Sequence, residues 1–389
     1  MPRKQSPFVR GSEAEEVQVT AAHGSHVLGR NRKKYIDFLS GWCVGNLGWD
    51  RREIRKAIRD FRGPDYVYPG FGYRPWEELA ELLVSIVPVR RARCFRATGG
   101  SEAVELGLQA AMLHTGRQGF LSVEDSYHGN TLGTLSIGAS GNRKLLKNLL
   151  PHCRKIEPSL DGKAAGKVEA MLGKRDVAAF VMEPISINLG VVIPDGEFVR
   201  RVRAACTRTG TLFIADEVAC GFGRTGRLFA SEHFGLRPDM LCLAKAISGG
   251  ASGMGAMIAT APVAKSLEED GNAYSTYGWH PLSTEASLAS LRYMIRHRRR
   301  LLDHVTRISD YFRQRLVQMD FRQVPALRIR GLAIALEFAD EDYVSELHAR
   351  SRERGLLCSN DGPILLLLPA LNIPGATARK GLDILQRCA

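Results

Sequence analysis

The middle of the chain alternates short apolar runs with stretches of helical periodicity, and the runs stop abruptly on charged residues. Met240-Leu241-Cys242-Leu243-Ala244 ends at Lys245, and Thr211-Leu212-Phe213-Ile214-Ala215 ends at Asp216. Cys94 to Ala97, Phe120 to Val123, Val177 to Met182 and Met254 to Ala259 read as further strands. Ala103 to His114 reads as a helix, and Phe198, Val199, Val202, Ala205 and Cys206 mark one face of another that stops near Gly210. Wholly apolar strands separated by helices must be covered on both faces. The pattern therefore predicts an α/β fold with a mostly parallel sheet between helices.

A chain of 389 residues has room for two domains with cores of their own. After Pro281 the texture changes. Two long helical stretches run to about Gln318, strand-like pieces follow at Leu327 to Phe338 and Ile364 to Leu368 with a helix between them, and another helix closes the chain. The expected division is an N-terminal segment, 1–40, that packs with the last part, a large domain over 41–285, and a smaller α+β domain over 286–389.

No apolar stretch approaches membrane-spanning length, and the basic start Met1-Pro2-Arg3-Lys4-Gln5 leads into no apolar signal core. The eight cysteines include no CxxC pair, so neither a disulfide framework nor a structural metal site is indicated, and a reducing cytoplasm fits. The net charge of +13 is spread in short groups such as Arg51-Arg52, Arg90-Arg91 and Arg298-Arg299-Arg300. These read as solvated helix faces and not as a nucleic-acid stripe with interleaved aromatics.

Open α/β sheets bind ligands beyond the carboxyl ends of their strands. Gly100, Glu183, Asp216 and Lys245 all fall there. Taken singly, each has a plain structural reading as a cap, a turn residue or a surface charge. Together, a lone lysine and a lone acid at neighbouring strand ends suit pyridoxal phosphate. The lysine holds that cofactor as a Schiff base, and the acid keeps its pyridine nitrogen protonated. Thr98-Gly99-Gly100-Ser101 turns a strand into a helix whose free N–H groups suit a phosphate. Tyr127-His128-Gly129 places an aromatic where it can stack on a flat heterocycle, and Val218 can press on a ring face.

Read as a set, these segments resemble the class III, or ω-amino, aminotransferases, pyridoxal phosphate enzymes of fold type I. The resemblance runs through Tyr35-Ile36-Asp37-Phe38-Leu39-Ser40-Gly41, Gly99-Gly100-Ser101-Glu102-Ala103, Tyr127-His128-Gly129, Glu183-Pro184, Asp216-Glu217-Val218 with Gly221-Phe222-Gly223-Arg224-Thr225-Gly226, Leu243-Ala244-Lys245-Ala246 and Ser275-Thr276-Tyr277-Gly278. It implies a seven-stranded-type sheet and a ping-pong transfer from an amine donor to a 2-oxo acid. It makes Lys245 and Asp216 catalytic, and Gly100, Ser101, Tyr127, His128, Glu183, Val218 and Thr276 cofactor-binding. It also implies a homodimer in which Thr276 reaches the cofactor phosphate of the other subunit. No metal, membrane or nucleic acid enters.

The chain departs from the family where a substrate carboxylate is usually clamped. Leu366 in Leu365-Leu366-Leu367-Leu368-Pro369 and Asn130 stand where many members have arginines, and Ala219 stands for a glutamine. Neither leucine nor a neutral amide replaces a bidentate carboxylate contact. The expected donor is therefore an ω-amino compound, a diamine or an amino sugar. Trp42, in a segment similar to the pocket wall of ω-amine transaminases, and Arg74, as a substitute anion contact, join Asn130 as candidate substrate residues. An aminomutase, racemase or decarboxylase would use the same cofactor residues. A nicotinamide enzyme would need a G-x-G-x-x-G turn, which Gly99-Gly100 does not provide.

Overall fold

The computed structural model describes residues 17–30, 32–271 and 273–389, so the first part of the expected N-terminal segment lies outside the described residues. The strands in chain order are β1 (Val19–His23), β2 (His26–Gly29), β3 (Lys34–Asp37), β4 (Ala92–Ala97), β5 (Gly119–Val123), β6 (Cys153–Ile156), β7 (Val177–Met182), β8 (Leu212–Asp216), β9 (Met240–Leu243), β10 (Gly255–Thr260), β11 (Ala326–Arg330), β12 (Ala333–Glu337), β13 (Leu356–Leu357), β14 (Ser359–Asp361) and β15 (Ile364–Leu367).

The central sheet has seven strands in the order β4-β10-β9-β8-β7-β5-β6. Neighbours from β9 to β6 run parallel, whereas β10 is antiparallel to both β4 and β9. One reversed strand between two others leaves β4 pointing the same way as β9, β8, β7 and β5. Their carboxyl ends therefore share one edge of the sheet, where an open α/β sheet binds its ligand. Strands β5, β7, β8 and β9 are buried along their whole length, as a sheet covered on both faces requires.

The helix Gly100–Thr115 covers one face of this sheet and ends at Gly116 in the left-handed conformation. Its Gly107 lets it settle close, since a Cβ there would lie 3.5 Å from Ile214 Cδ1. The helices Gly162–Leu172 and Gly196–Thr209 cover the other face through Val168, Leu172, Phe198 and Val202.

Beyond the helices Pro281–Arg296 and Arg298–Val317, strands β11, β12, β15 and β14 form an antiparallel sheet. The third sheet joins the two ends of the chain, because β13 pairs in parallel with β3 while β1, β2 and β3 form a meander. Among the described residues, no helix is long and apolar enough to cross a membrane.

Candidate active site

The shared edge of the central sheet opens into a cavity of about 310 Å³. Its wall includes Gly100 and Ser101 beyond β4, Tyr127 and His128 beyond β5, Glu183 beyond β7, Asp216 and Val218 at the end of β8, and Lys245 beyond β9. Asp216 is 3% exposed. The His128 Nδ1–H donates to its Oδ2 at 2.7 Å, and the Val218 amide donates to its Oδ1 at 3.0 Å. Both oxygens are thus oriented, and each keeps acceptor capacity for a further N–H. The next residue, Glu217, has the opposite role. It is fully buried away from the cavity and accepts from the amides of Ala230 and Ser231 and from the Ser231 hydroxyl. Burial raises its carboxyl above the ordinary range. The β pleat sends consecutive side chains to opposite faces, which separates these two acids.

Lys245 opens a short 3-10 turn, Lys245–Ser248, with its backbone at φ 45. That left-handed geometry costs about 1 kcal/mol in a non-glycine residue and is held by the surrounding packing. Glu183 accepts from Asn188 Nδ2 at 2.9 Å and from the Ile187 amide at 3.2 Å. Burial first, then the charge of Asp216, pushes its carboxyl up to about 7.

At the rim, Gly129 has φ +136, and a Cβ there would stand 2.4 Å from Ser101 Oγ, so only glycine fits beside that hydroxyl. Gly100 faces Val218 as closely, with a built Cβ 3.0 Å from Val218 Cγ1. Gly100 thus lets the helix start pack directly against the Val218 side chain.

Val44, also in the wall, follows an unusual turn. Ser40, Gly41, Trp42 and Cys43 all have positive φ, between 50 and 65. The buried Asp37 holds the turn. Its Oδ1 accepts from the Leu39 and Ser40 amides, both at 2.8 Å, and its Oδ2 accepts from Trp49 Nε1 at 2.6 Å. The Trp49 ring lies so close that a Cβ on Gly41 would meet it at 3.1 Å and one on Gly250 at 2.8 Å. One indole thus ties the strained turn to the glycine pair that follows the Lys245 turn.

The sequence profile described as aminotransferase class-III matches residues 9–389. The chain belongs to the class III aminotransferases. The acetylornithine aminotransferase of Methanosarcina mazei is 33% identical over 359 residues, 91% of this chain and 87% of that protein. The aminotransferase PigE of a Serratia species is 31% identical over 342 residues. This chain spans only 39% of that relative's length. An amine transaminase from an uncultivated Pseudomonas species, solved with pyridoxal phosphate bound, superposes with a TM-score of 0.89 at 26% identity over 99% of both chains. The protein is a pyridoxal phosphate-dependent aminotransferase of fold type I.

The aminotransferase cavity suits that cofactor. The wall combines an amine, Lys245, with a buried and oriented carboxylate, Asp216. It also contains the start of the helix Gly100–Thr115, with Ser101 in its first turn, as a cradle for phosphate. The cavity-lining His128 has a buried Nε2 without a hydrogen-bond partner among the described residues.

Other candidate residues lie elsewhere. Thr276 is exposed on the loop before the helix Pro281–Arg296 and does not line this chain's cavity. The Asn130 amide donates to Ser101 Oγ at 3.3 Å, but the exposed residue is not part of the wall. Trp42 is half-buried against the apolar cluster that contains Leu366, Ala219 and Cys43. Arg74 departs most from expectation. It starts the helix Arg74–Ile86, and its guanidinium is engaged by Glu77, Glu78 and Glu81 of that same helix. Asn188 and Val44 line the cavity without having been singled out in the sequence. Nothing in the spacing marks them, because their positions depend on a loop and a strained turn.

Proposed function

We propose that this aminotransferase takes its amino group from a donor that is not gripped through an α-carboxylate, namely a diamine, an ω-amino compound or an amino sugar. A 2-oxo acid would then accept the group in a ping-pong exchange. One observation carries the reading: among the described residues that line the cavity, Lys245 is the only cation and no arginine is present. Leu366 supports it, fully buried among Ile185, Ala219 and Leu368.

When bound, pyridoxal phosphate supplies an aldehyde that takes up the amine and a ring that delocalises charge from the substrate carbon. The Asp216 carboxylate accepts the pyridine N–H and holds that proton in place. The Lys245 amine carries the proton to and from the substrate carbon. Ser101 and the helix-start amides would hold the phosphate, Tyr127 and Val218 would flank the ring, and Glu183, its carboxyl raised to about 7, would share in holding a proton near Asp216. Trp42, two residues before the cavity-lining Val44, would border the substrate side.

The enzyme works as a homodimer in this reading, with Thr276 reaching the phosphate of the other subunit. The exposed aromatics Tyr66, Tyr68, Phe71, Tyr274 and Tyr277 near that loop give the dimer an apolar contact. The working units in this reading are a cofactor-binding domain over 41–285 and a smaller domain over 286–389, with which the N-terminal segment packs. Eight cysteines without a disulfide suit a reducing cytoplasm. An aminomutase, racemase or decarboxylase would leave no net amine on an added keto acid.

The test is a donor panel with the holoenzyme, following amine transfer to pyruvate and 2-oxoglutarate. A diamine, 5-aminovalerate or an amino sugar should outrun N-acetylornithine and ornithine. If either of the latter proved the best donor by a wide margin, the reading would fail.

A further inference from the structure

A second concave region lies away from the cofactor cavity. It has a volume of about 840 Å³ and is walled by the loop Thr225–Arg227, the corner between the helices Pro281–Arg296 and Arg298–Val317, and the β11–β12 turn at Arg330 and Gly331. Five arginines line it: Arg227, Arg296, Arg298, Arg299 and Arg330. A shallower depression continues from it, sharing Arg296 and Arg299 and adding Arg300 and Arg307. The acids lining the two are Asp303 and Asp310. Only Arg298 among these arginines makes an ion pair with a described carboxylate, at 3.3 Å from Glu232. Arg227, Arg296, Arg299 and Arg330 are exposed and make none.

The groove's positive charge comes from guanidinium groups, against the two carboxylates Asp303 and Asp310. Burial first, then the charge of Arg330, drives the His233 imidazole down to about 4, and Arg227 acts in the same direction. The ring is therefore neutral, with Nε2 3.0 Å from the Thr225 carbonyl. Concentrating unpaired like charges is unfavourable unless an anion relieves it. Arginine forks match phosphate oxygens in pairs.

The rest of the lining narrows the class of anion. It has no Phe, Tyr or Trp on which a nucleobase could stack, and its aliphatic side chains are Ile295 and Leu302. A protein partner would ordinarily seek apolar or aromatic anchors at the centre of its footprint, and the groove presents none of size. The hydroxyls of Thr306 and Ser309 add neutral hydrogen-bonding groups along one side.

The floor is where the two halves of the fold touch. A Cβ on Gly331 would lie 2.4 Å from the Thr225 backbone carbon, and the Leu332 amide donates to the Arg224 carbonyl at 2.9 Å. Arg224 is buried below, donating to the carbonyls of Leu332 and Pro369 and to Asn46 Oδ1. An anion bridging Arg227, Arg296 and Arg330 would tie the loop beyond Asp216 to the β11–β12 hairpin.

We propose that this arginine groove is a binding site for a phosphoanhydride chain, carried by inorganic polyphosphate or by a nucleotide, separate from the cofactor phosphate.

The experiment titrates the pyridoxal phosphate-loaded enzyme calorimetrically with inorganic tripolyphosphate, at two salt concentrations, against sulfate at matched ionic strength. Tripolyphosphate should bind once per chain, weaken as salt rises, raise the melting temperature and leave the visible absorption band unchanged. The surface variant R296S/R299S/R330S should bind at least about tenfold more weakly, and R322S, outside the groove, as tightly as the parent. ATP within a factor of about three of tripolyphosphate would support recognition of the phosphate chain whichever molecule carries it. ATP binding more than about threefold tighter or weaker than tripolyphosphate would overturn it, since the site would then read the nucleoside and not the phosphate chain. No binding beyond that of sulfate, full binding by the triple variant, loss of the visible band, or tighter binding of a poly-glutamate peptide would each overturn the proposal.

Discussion

Replacing Glu183 by glutamine removes a buried, ionisable carboxyl from the cavity wall. Glu183 is 2% exposed, and burial, with the charge of Asp216 second, raises its carboxyl from an ordinary 4.5 to about 7. Below about pH 4.5 the group is protonated whether the chain is folded or not and contributes nothing. Between about pH 4.5 and 7 the unfolded chain releases the proton while the folded chain keeps it. The unfolded state then binds fewer protons, so stability falls as pH rises and levels off above the folded value. The difference corresponds to about 3 kcal/mol. Little of it is screened by solvent, because the side chain is buried.

Glutamine cannot ionise, and it preserves the shape and an acceptor for Asn188 Nδ2. Relative to the parent, cofactor-free Glu183→Gln should gain about 2.5 kcal/mol of stability on going from about pH 5 to about pH 8, since part of the cost is already present at the lower pH. Urea unfolding of both proteins at the two pH values measures it. A difference between variant and parent that stayed flat with pH, or that moved the other way, would refute the linkage.

Two further perturbations probe the site. Lys245→Ala should abolish the holoenzyme's visible absorption band and lower turnover by several powers of ten. Far-UV circular dichroism should stay unchanged, and a fully active variant would remove Lys245 from the mechanism. Asp37→Asn turns one carboxylate oxygen into a donor that faces Trp49 Nε1, now 2.6 Å away. That change should cost about 1–3 kcal/mol of stability and raise KM more than it lowers kcat, because the strained turn ahead of Val44 loosens. An unchanged KM with unchanged unfolding would show that the turn holds without that clamp.

Much of this site was legible in the chain because burial leaves a periodic record. Strands covered on both faces must be apolar throughout, so Asp216 and Lys245 stood out as the charges where such runs stop. Gly100 and Gly129 were legible for a related reason, since close approach there excludes a side chain. Other features left no such record. Gly255–Thr260 is as apolar as its neighbours, and a strand's composition does not encode its direction, so its reversal between β4 and β9 could not be read. The edge strand β6 includes Arg154 and Lys155 and lacks an apolar run. The turn at Ser40–Cys43 holds left-handed residues other than glycine, because Asp37 and Trp49 constrain it from outside the segment.

Charge shows the same division most clearly. Arg74 looked available for an anion in a linear reading, yet a helical turn brings Glu77, Glu78 and Glu81 to it. Arg298-Arg299-Arg300 read as a solvated face and is exposed, but only packing sets it beside Arg227 and Arg330 from distant parts of the chain. Local patterning was enough to name the layers and the lysine and acid that line one cavity, because hydrophobic periodicity and steric exclusion act over a few residues. Which cations find partners and which stay free depended on long-range packing, because Coulomb interactions take no account of how far apart two groups lie along the chain.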